Sequence, residues 1–83
     1  MSVALDEVLE HLVKGICTVP EEVLVEHSES SRGELLEVRV NPADLGRVIG
    51  RGGRTAKALR TVVGALSDGR RVRIDVIDTD KSA

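Results

Sequence analysis

Three glycines stand within four positions, Gly50, Gly52 and Gly53, inside the run Val48-Ile49-Gly50-Arg51-Gly52-Gly53-Arg54. They cut what would otherwise be one long amphipathic helix into two. Before the break, Asn41 suits an N-cap, Pro42 the first helical position and Asp44 the first turn. Leu45, Val48 and Ile49 give that short helix an apolar face. After the break, Ala56, Leu59, Val62, Val63 and Leu66 recur as one stripe, with Arg54, Lys57, Arg60 and Thr61 on the other side. Residues 42–67 are therefore expected to form a helix–loop–helix corner. Its loop can adopt positive φ and let a ligand approach the backbone closely.

Around this corner the hydrophobic period changes twice. Residues 3–17 carry Leu5, Val8, Leu9, Leu12, Val13 and Ile16 at helical spacing, with Ser2 as a cap and Pro20 as a stop. Residues 22–40 alternate instead. Val23-Leu24-Val25 leads one strand over 22–29, and Ser30-Ser31-Arg32-Gly33 makes a turn. Leu36, Val38 and Val40 share one face of a second strand over 34–40, so the pair predicts a hairpin. After the turn Asp68-Gly69, residues 70–77 read as a third strand with Val72, Ile74 and Val76 facing inward. The order α-β-β-α-α-β predicts an α+β fold, a three-stranded mixed sheet covered by three helices. Residues 1–77 would form a single domain and 78–83 a flexible tail.

Composition narrows the function. No Phe, Tyr or Trp is present. Modules that stack bases on aromatic rings, such as the RRM, the OB-fold and the cold-shock domain, are disfavoured. Cys17 is the only cysteine, which excludes disulfide stapling. No apolar run approaches the roughly 18 residues of a membrane span, and Met1 to Leu12 has no basic leader, which points to a cytoplasmic protein. The net charge is −2, but it is unevenly placed. Residues 1–45 sum to −7, residues 46–73 to +7 and residues 74–83 to −2. A polyanion responds to the local field, because salt screens over about 8–10 Å.

The positive segment contains the glycine loop. Free N–H groups at the start of the second helix suit a phosphate. Arg51 and Arg54 bracket the site as bidentate donors, and Lys57 and Arg60 continue the charge along the helix. A glycine corner between two packed helices has the same composition; charge and position favour the phosphate site. Nucleotide-enzyme motifs fit poorly. A Walker loop would need glycine where Val48 stands and lysine at Arg54, and a Rossmann loop would need glycine at Thr55 and a preceding strand. His11 and His27 are far apart in sequence and lack ligand-spaced Cys or His partners, so no metal site is expected. Cys17 ends an apolar helix and is expected in the core. No paired acid and base flank the loop, so no catalytic residue and no cofactor is assigned. Glu21, Glu22, Glu26, Glu29, Glu34 and Glu37 would solvate the hairpin. Arg70, Arg71 and Arg73 would form a solvated strand edge or extend a nucleic-acid path.

The stretch Asp44 to Thr61 resembles KH domains of the type II topology, whose hallmark is an Ile-Gly-x-x-Gly loop between two helices, here Ile49-Gly50-Arg51-Gly52-Gly53. It is similar, over roughly residues 5–77, to the small bacterial single-KH family called KhpA. That resemblance implies a non-catalytic protein that clamps the backbone of single-stranded RNA, an RNA chaperone or post-transcriptional regulator. It implies Gly50, Arg51, Gly52 and Gly53 as the clamp, Arg54 and Lys57 as phosphate contacts and Ile49 as a groove residue. It further implies a homodimer, a larger KhpB-type KH partner and a link to cell shape and cell-wall homeostasis. Thr55 departs from the apolar residue often found at that position. The alternative is a protein-interaction subunit with little RNA affinity of its own.

Overall fold

A computed structural model describes residues 4–77. Its order is α1 (Leu5–Ile16), β1 (Leu24–Ser30), β2 (Gly33–Arg39), α2 (Leu45–Ile49), α3 (Arg54–Leu66) and β3 (Val72–Val76). Short 3-10 turns occupy Pro20–Glu22, Pro42–Asp44 and Arg51–Gly53. This is the α+β order expected for a type II KH domain. The expected cap Ser2 and the tail 78–83 lie outside the described residues. Within them, no helix is long and apolar enough to cross a membrane.

The strands lie in the order β1-β2-β3. β1 runs antiparallel to β2, with Val25 opposite Val38 and Ser30 opposite Gly33. β3 runs parallel to β2, with Leu36 opposite Ile74. The parallel pairing needs a crossover, which α2 and α3 supply. β1 starts at Leu24, because Pro20 pre-sets the backbone for a 3-10 turn at 20–22.

All three helices cover one face of the sheet. Leu5, Leu9 and Val13 of α1, Val48 of α2, and Leu59 and Val63 of α3 bury against Leu36, Val38 and Ile74. Strand alternation sends Leu24, Glu26, Glu37, Arg39 and Arg73 to the other face. The core is wholly aliphatic. Each fully buried Leu or Val contributes about 1.5–3 kcal/mol, so several such residues sustain a chain this small.

The expected α3 stripe is narrower than its sequence pattern. Ala56, Leu59 and Val63 are buried, but Val62 is 43% and Leu66 39% exposed. Val62 precedes Val63 by one residue, which is about 100° around a helix, so both cannot face the sheet. Val62 therefore turns outward.

Candidate nucleic-acid interface

The corner at 42–53 is held from both ends. The Asn41 side chain accepts from the Ala43 N–H at 2.8 Å, as an N-cap should. Asp44 stands in the first turn, as expected, and does more there. It is fully buried and accepts from the Thr18 N–H at 2.9 Å, the Thr18 hydroxyl at 2.7 Å and the Val19 N–H at 2.9 Å. Those bonds, the Thr18 N–H foremost, hold its carboxyl below the usual 3.8. Asp44 thus ties the α1–β1 connection to the start of α2, which leads into the glycine loop.

The loop itself is a 3-10 turn kinked at Gly52. Gly50, Gly52 and Gly53 have φ of 78°, 64° and 78°. A Cβ on Gly50 would lie 2.3 Å from the Thr55 Oγ1 and 2.7 Å from the Thr55 N, so Thr55 fills the space behind the loop. Nothing lies within 4 Å of a Cβ at Gly52 or Gly53, so that side of the loop is open. Gly53 caps α3 in the left-handed conformation, with no side-chain hydrogen bond at the cap. The first N–H groups of α3, expected to be free for a phosphate, are partly used: the Arg54 N–H donates to the Arg51 carbonyl, and the Thr55 N lies behind Gly50 rather than on the open side.

Of the eight residues singled out by sequence, Gly50, Arg51 and Gly52 form the loop itself and the other five line two hollows. Ile49, Gly53 and Arg60 line a 420 Å³ hollow with Ala56, Asp75, Val76 and Ile77, between the corner and β3. Its volume lies in the range of ligand sites, about 300–1,000 Å³. Ile49 is 39% exposed there, consistent with a groove wall. Arg54 and Lys57 line a separate, mostly apolar hollow with Ala58, Thr61 and Val62, round the helix from the first. Arg51, Arg54 and Lys57 form no side-chain hydrogen bond or ion pair with a described residue, so their cations are available. Arg60 is less free: its Nε and Nη2 each lie 3.4 Å from the Ile74 carbonyl oxygen, on the edge of β3 away from β2.

Glu34 and Arg70 depart from the expectation that they are simply solvated. Glu34 has a side chain only 13% exposed and bonds the Arg70 guanidinium through both oxygens and His27 Nε2 at 2.9 Å. The Arg70 bond foremost, then His27, holds its carboxyl at about 2. His27, Glu29 and Glu34 also form the one cluster of metal-ligating spacing among the described residues. Arg70 already neutralises Glu34, so the cluster is centred on an Arg70–Glu34 ion pair to which His27 adds a hydrogen bond. Cys17 is half-buried, and burial, reinforced by the Asp44 charge, pushes its thiol up. That is the opposite of an activated nucleophile.

Residues 6–77 match the family model described as the KhpA/KhpB KH domain. The chain is 70% identical over 70 residues to the RNA-binding protein KhpA of Leifsonia xyli, covering 84% of this chain and 92% of that one. It is 62% identical over 76 residues to the RNA-binding protein KhpA of Streptomyces coelicolor, covering 92% and 95%. To the protein of the same name from Mycobacterium bovis it is 53% identical over 81 residues, covering 98% and 100%. No solved structure matches it.

Proposed function

We propose, since this chain belongs to the KhpA/KhpB KH-domain family, that it binds single-stranded RNA without catalysis. The glycine loop holds the backbone and the hollow beside it takes the bases. The observation that carries this is the open face at Gly52 and Gly53, bordered by the uncommitted cation of Arg51. KH loops of this form hold about four nucleotides. The aliphatic walls Ile49, Ala56 and Val76 offer apolar contact to bases where no aromatic ring exists. Arg54 and Lys57 lie one step round the helix and meet phosphates that flank the clamp.

In the cell, by its family, the protein serves as an RNA chaperone or post-transcriptional regulator in the cytoplasm. It would act with a KhpB-type partner in cell-shape and cell-wall homeostasis. A second reading has its own support. Val62, Leu66 and Ala58 leave an exposed apolar strip on α3, which suits a homodimer or a protein partner. In that case the chain is an interaction subunit whose RNA affinity appears only in complex.

The test is the double variant Arg51→Asp/Gly52→Asp. Both side chains face open space, and Asp tolerates the left-handed backbone of Gly52 better than most residues. The variant is expected to fold, by circular dichroism, and to lose RNA binding in an electrophoretic shift assay. A folded variant that binds like the wild type removes the loop from the site. Wild type that binds only after a KhpB-type partner is added favours the interaction subunit.

A further inference from the structure

The hairpin turn and the start of β3 are held side by side. The Glu34 N–H donates to the Arg71 carbonyl at 2.8 Å, and a Cβ at Gly33 would lie 2.6 Å from the Arg71 Cβ. This close approach gathers arginines from two distant parts of the chain. Arg70 is committed to Glu34. Arg32 is exposed at the turn and forms no side-chain hydrogen bond or ion pair with a described residue. Arg73 has only a loose contact with Asp75, at 3.5 Å, and its side chain is 80% exposed.

Three hollows connect this end of the molecule to the glycine loop. The first is the groove beside the loop, which ends at Arg60 and Asp75. The second lies between α3 and β3 and is lined by Arg60, Val63, Arg73 and Asp75, among others. The third lies by the hairpin turn and includes Arg32, Leu35, Arg73 and Asp75. Arg60 and Asp75 belong to both the first and the second, and Arg73 and Asp75 to both the second and the third. Together they make one track around the edge of β3 that no strand covers.

We infer that this track is a second RNA-backbone site, in which Arg73 and Arg32 hold phosphates of the strand as it leaves the groove. The inference rests on the RNA-binding function proposed above. A clamp of about four nucleotides must release the strand at each end, and the exit past Arg60 opens onto this track. Guanidinium groups take phosphate oxygens in pairs. Val72 and Leu35, both partly exposed, provide aliphatic surface between the cations. Asp75 is the opposing charge. An exposed pair of this kind is worth little, about 0–1 kcal/mol, so a phosphate can displace the carboxylate from Arg73.

The experiment compares oligouridines of about four and about ten nucleotides, lengths that bracket the clamp and the whole track. Wild type and Arg32→Ala/Arg73→Ala are titrated with each at two salt concentrations. Both replaced side chains are exposed, and retained circular dichroism checks the fold. The longer strand is expected to bind wild type more tightly than the shorter one. The variant is expected to bind the short strand normally and to lose the gain with length. With about 0.7 of log–log salt slope per contact, a fourfold rise in salt should weaken wild type on the long strand about sevenfold more than the variant. If length brings no gain, or the variant matches wild type on the long strand, the track is not a site while the clamp stands. If wild type binds neither strand, the clamp and the track both fall.

Discussion

Gly50 and Gly52 share a positive φ yet stand under different constraints. Gly50, with φ 78° and ψ 168°, lies where side chains are almost unknown, and a Cβ there meets Thr55 backbone as well as its side chain. Gly52, with φ 64° and ψ 20°, is ordinary left-handed backbone in open space. Gly50→Ala should therefore cost about 2–5 kcal/mol, combining strain and overlap. Gly52→Ala should cost about 1–2 kcal/mol. Urea unfolding of the two variants measures the difference. Equal costs would mean that Thr55 yields and the loop is not braced from behind. The three glycines made the bend legible in the sequence. Which of them stands against a wall was not, because that depends on where Thr55 folds back, and periodicity carries no such information. Thr55 itself acquires a role here: its departure from an apolar residue places a small polar side chain behind Gly50 rather than in the groove.

At the scale of elements, helices and strands were legible because their apolar periods are regular, whereas the polar ties between them were not. Asp44 looked like a first-turn acid, but its partners lie 25 and 26 residues earlier. Glu34 looked like one of six solvating glutamates, but Arg70, 36 residues later, closes on it. Such pairings need the fold before they can be seen. The α3 stripe failed in the other direction: five apolar residues suggested five core positions, and the surplus at Val62 and Leu66 became an exposed strip. The Glu34 tie gives a pH dependence with a definite sign. Its carboxyl titrates at about 2 in the folded protein against the usual 4.5. Above the usual value both states are ionised and the contribution is fully present. Below it the unfolded chain takes up the proton first, so stability falls as pH drops from about 4.5 to about 2. Asp44, also held low, adds to the same loss. Wild type should therefore lose more stability across this window than Glu34→Gln, which has no carboxyl to protonate there. Equal losses in parallel urea titrations would show that the Arg70–Glu34 pair is too well solvated to matter.

At the scale of the whole molecule, a net charge of −2 conceals two regions of opposite charge. The basic corner and α3 carry Arg47, Arg51, Arg54, Lys57 and Arg60, while α1 and the hairpin carry most of the acids. The molecule measures 35 × 26 × 25 Å. That exceeds the screening length of about 8–10 Å at physiological salt, so acids more than that distance from the loop do not cancel its field. They would discourage a polyanion from the hairpin, which would keep the proposed RNA path at the basic corner. A short strand at the clamp then meets three cations, Arg51, Arg54 and Lys57. At about 0.7 per phosphate contact its log affinity should fall against log salt with a slope near −2, or about sixteenfold for a fourfold rise in salt. Fluorescence anisotropy with an oligouridine of about four nucleotides reads this directly. A flat profile would mean that the aliphatic groove alone holds the bases, and that the +7 segment serves some other partner. A slope much steeper than −2 on so short a strand would mean that cations beyond the clamp, Arg60 first among them, leave their internal partners when RNA arrives. Arg60→Gln separates those cases. It removes the guanidinium that reaches the Ile74 carbonyl and should restore the slope to about −2 if that side chain is the added contact.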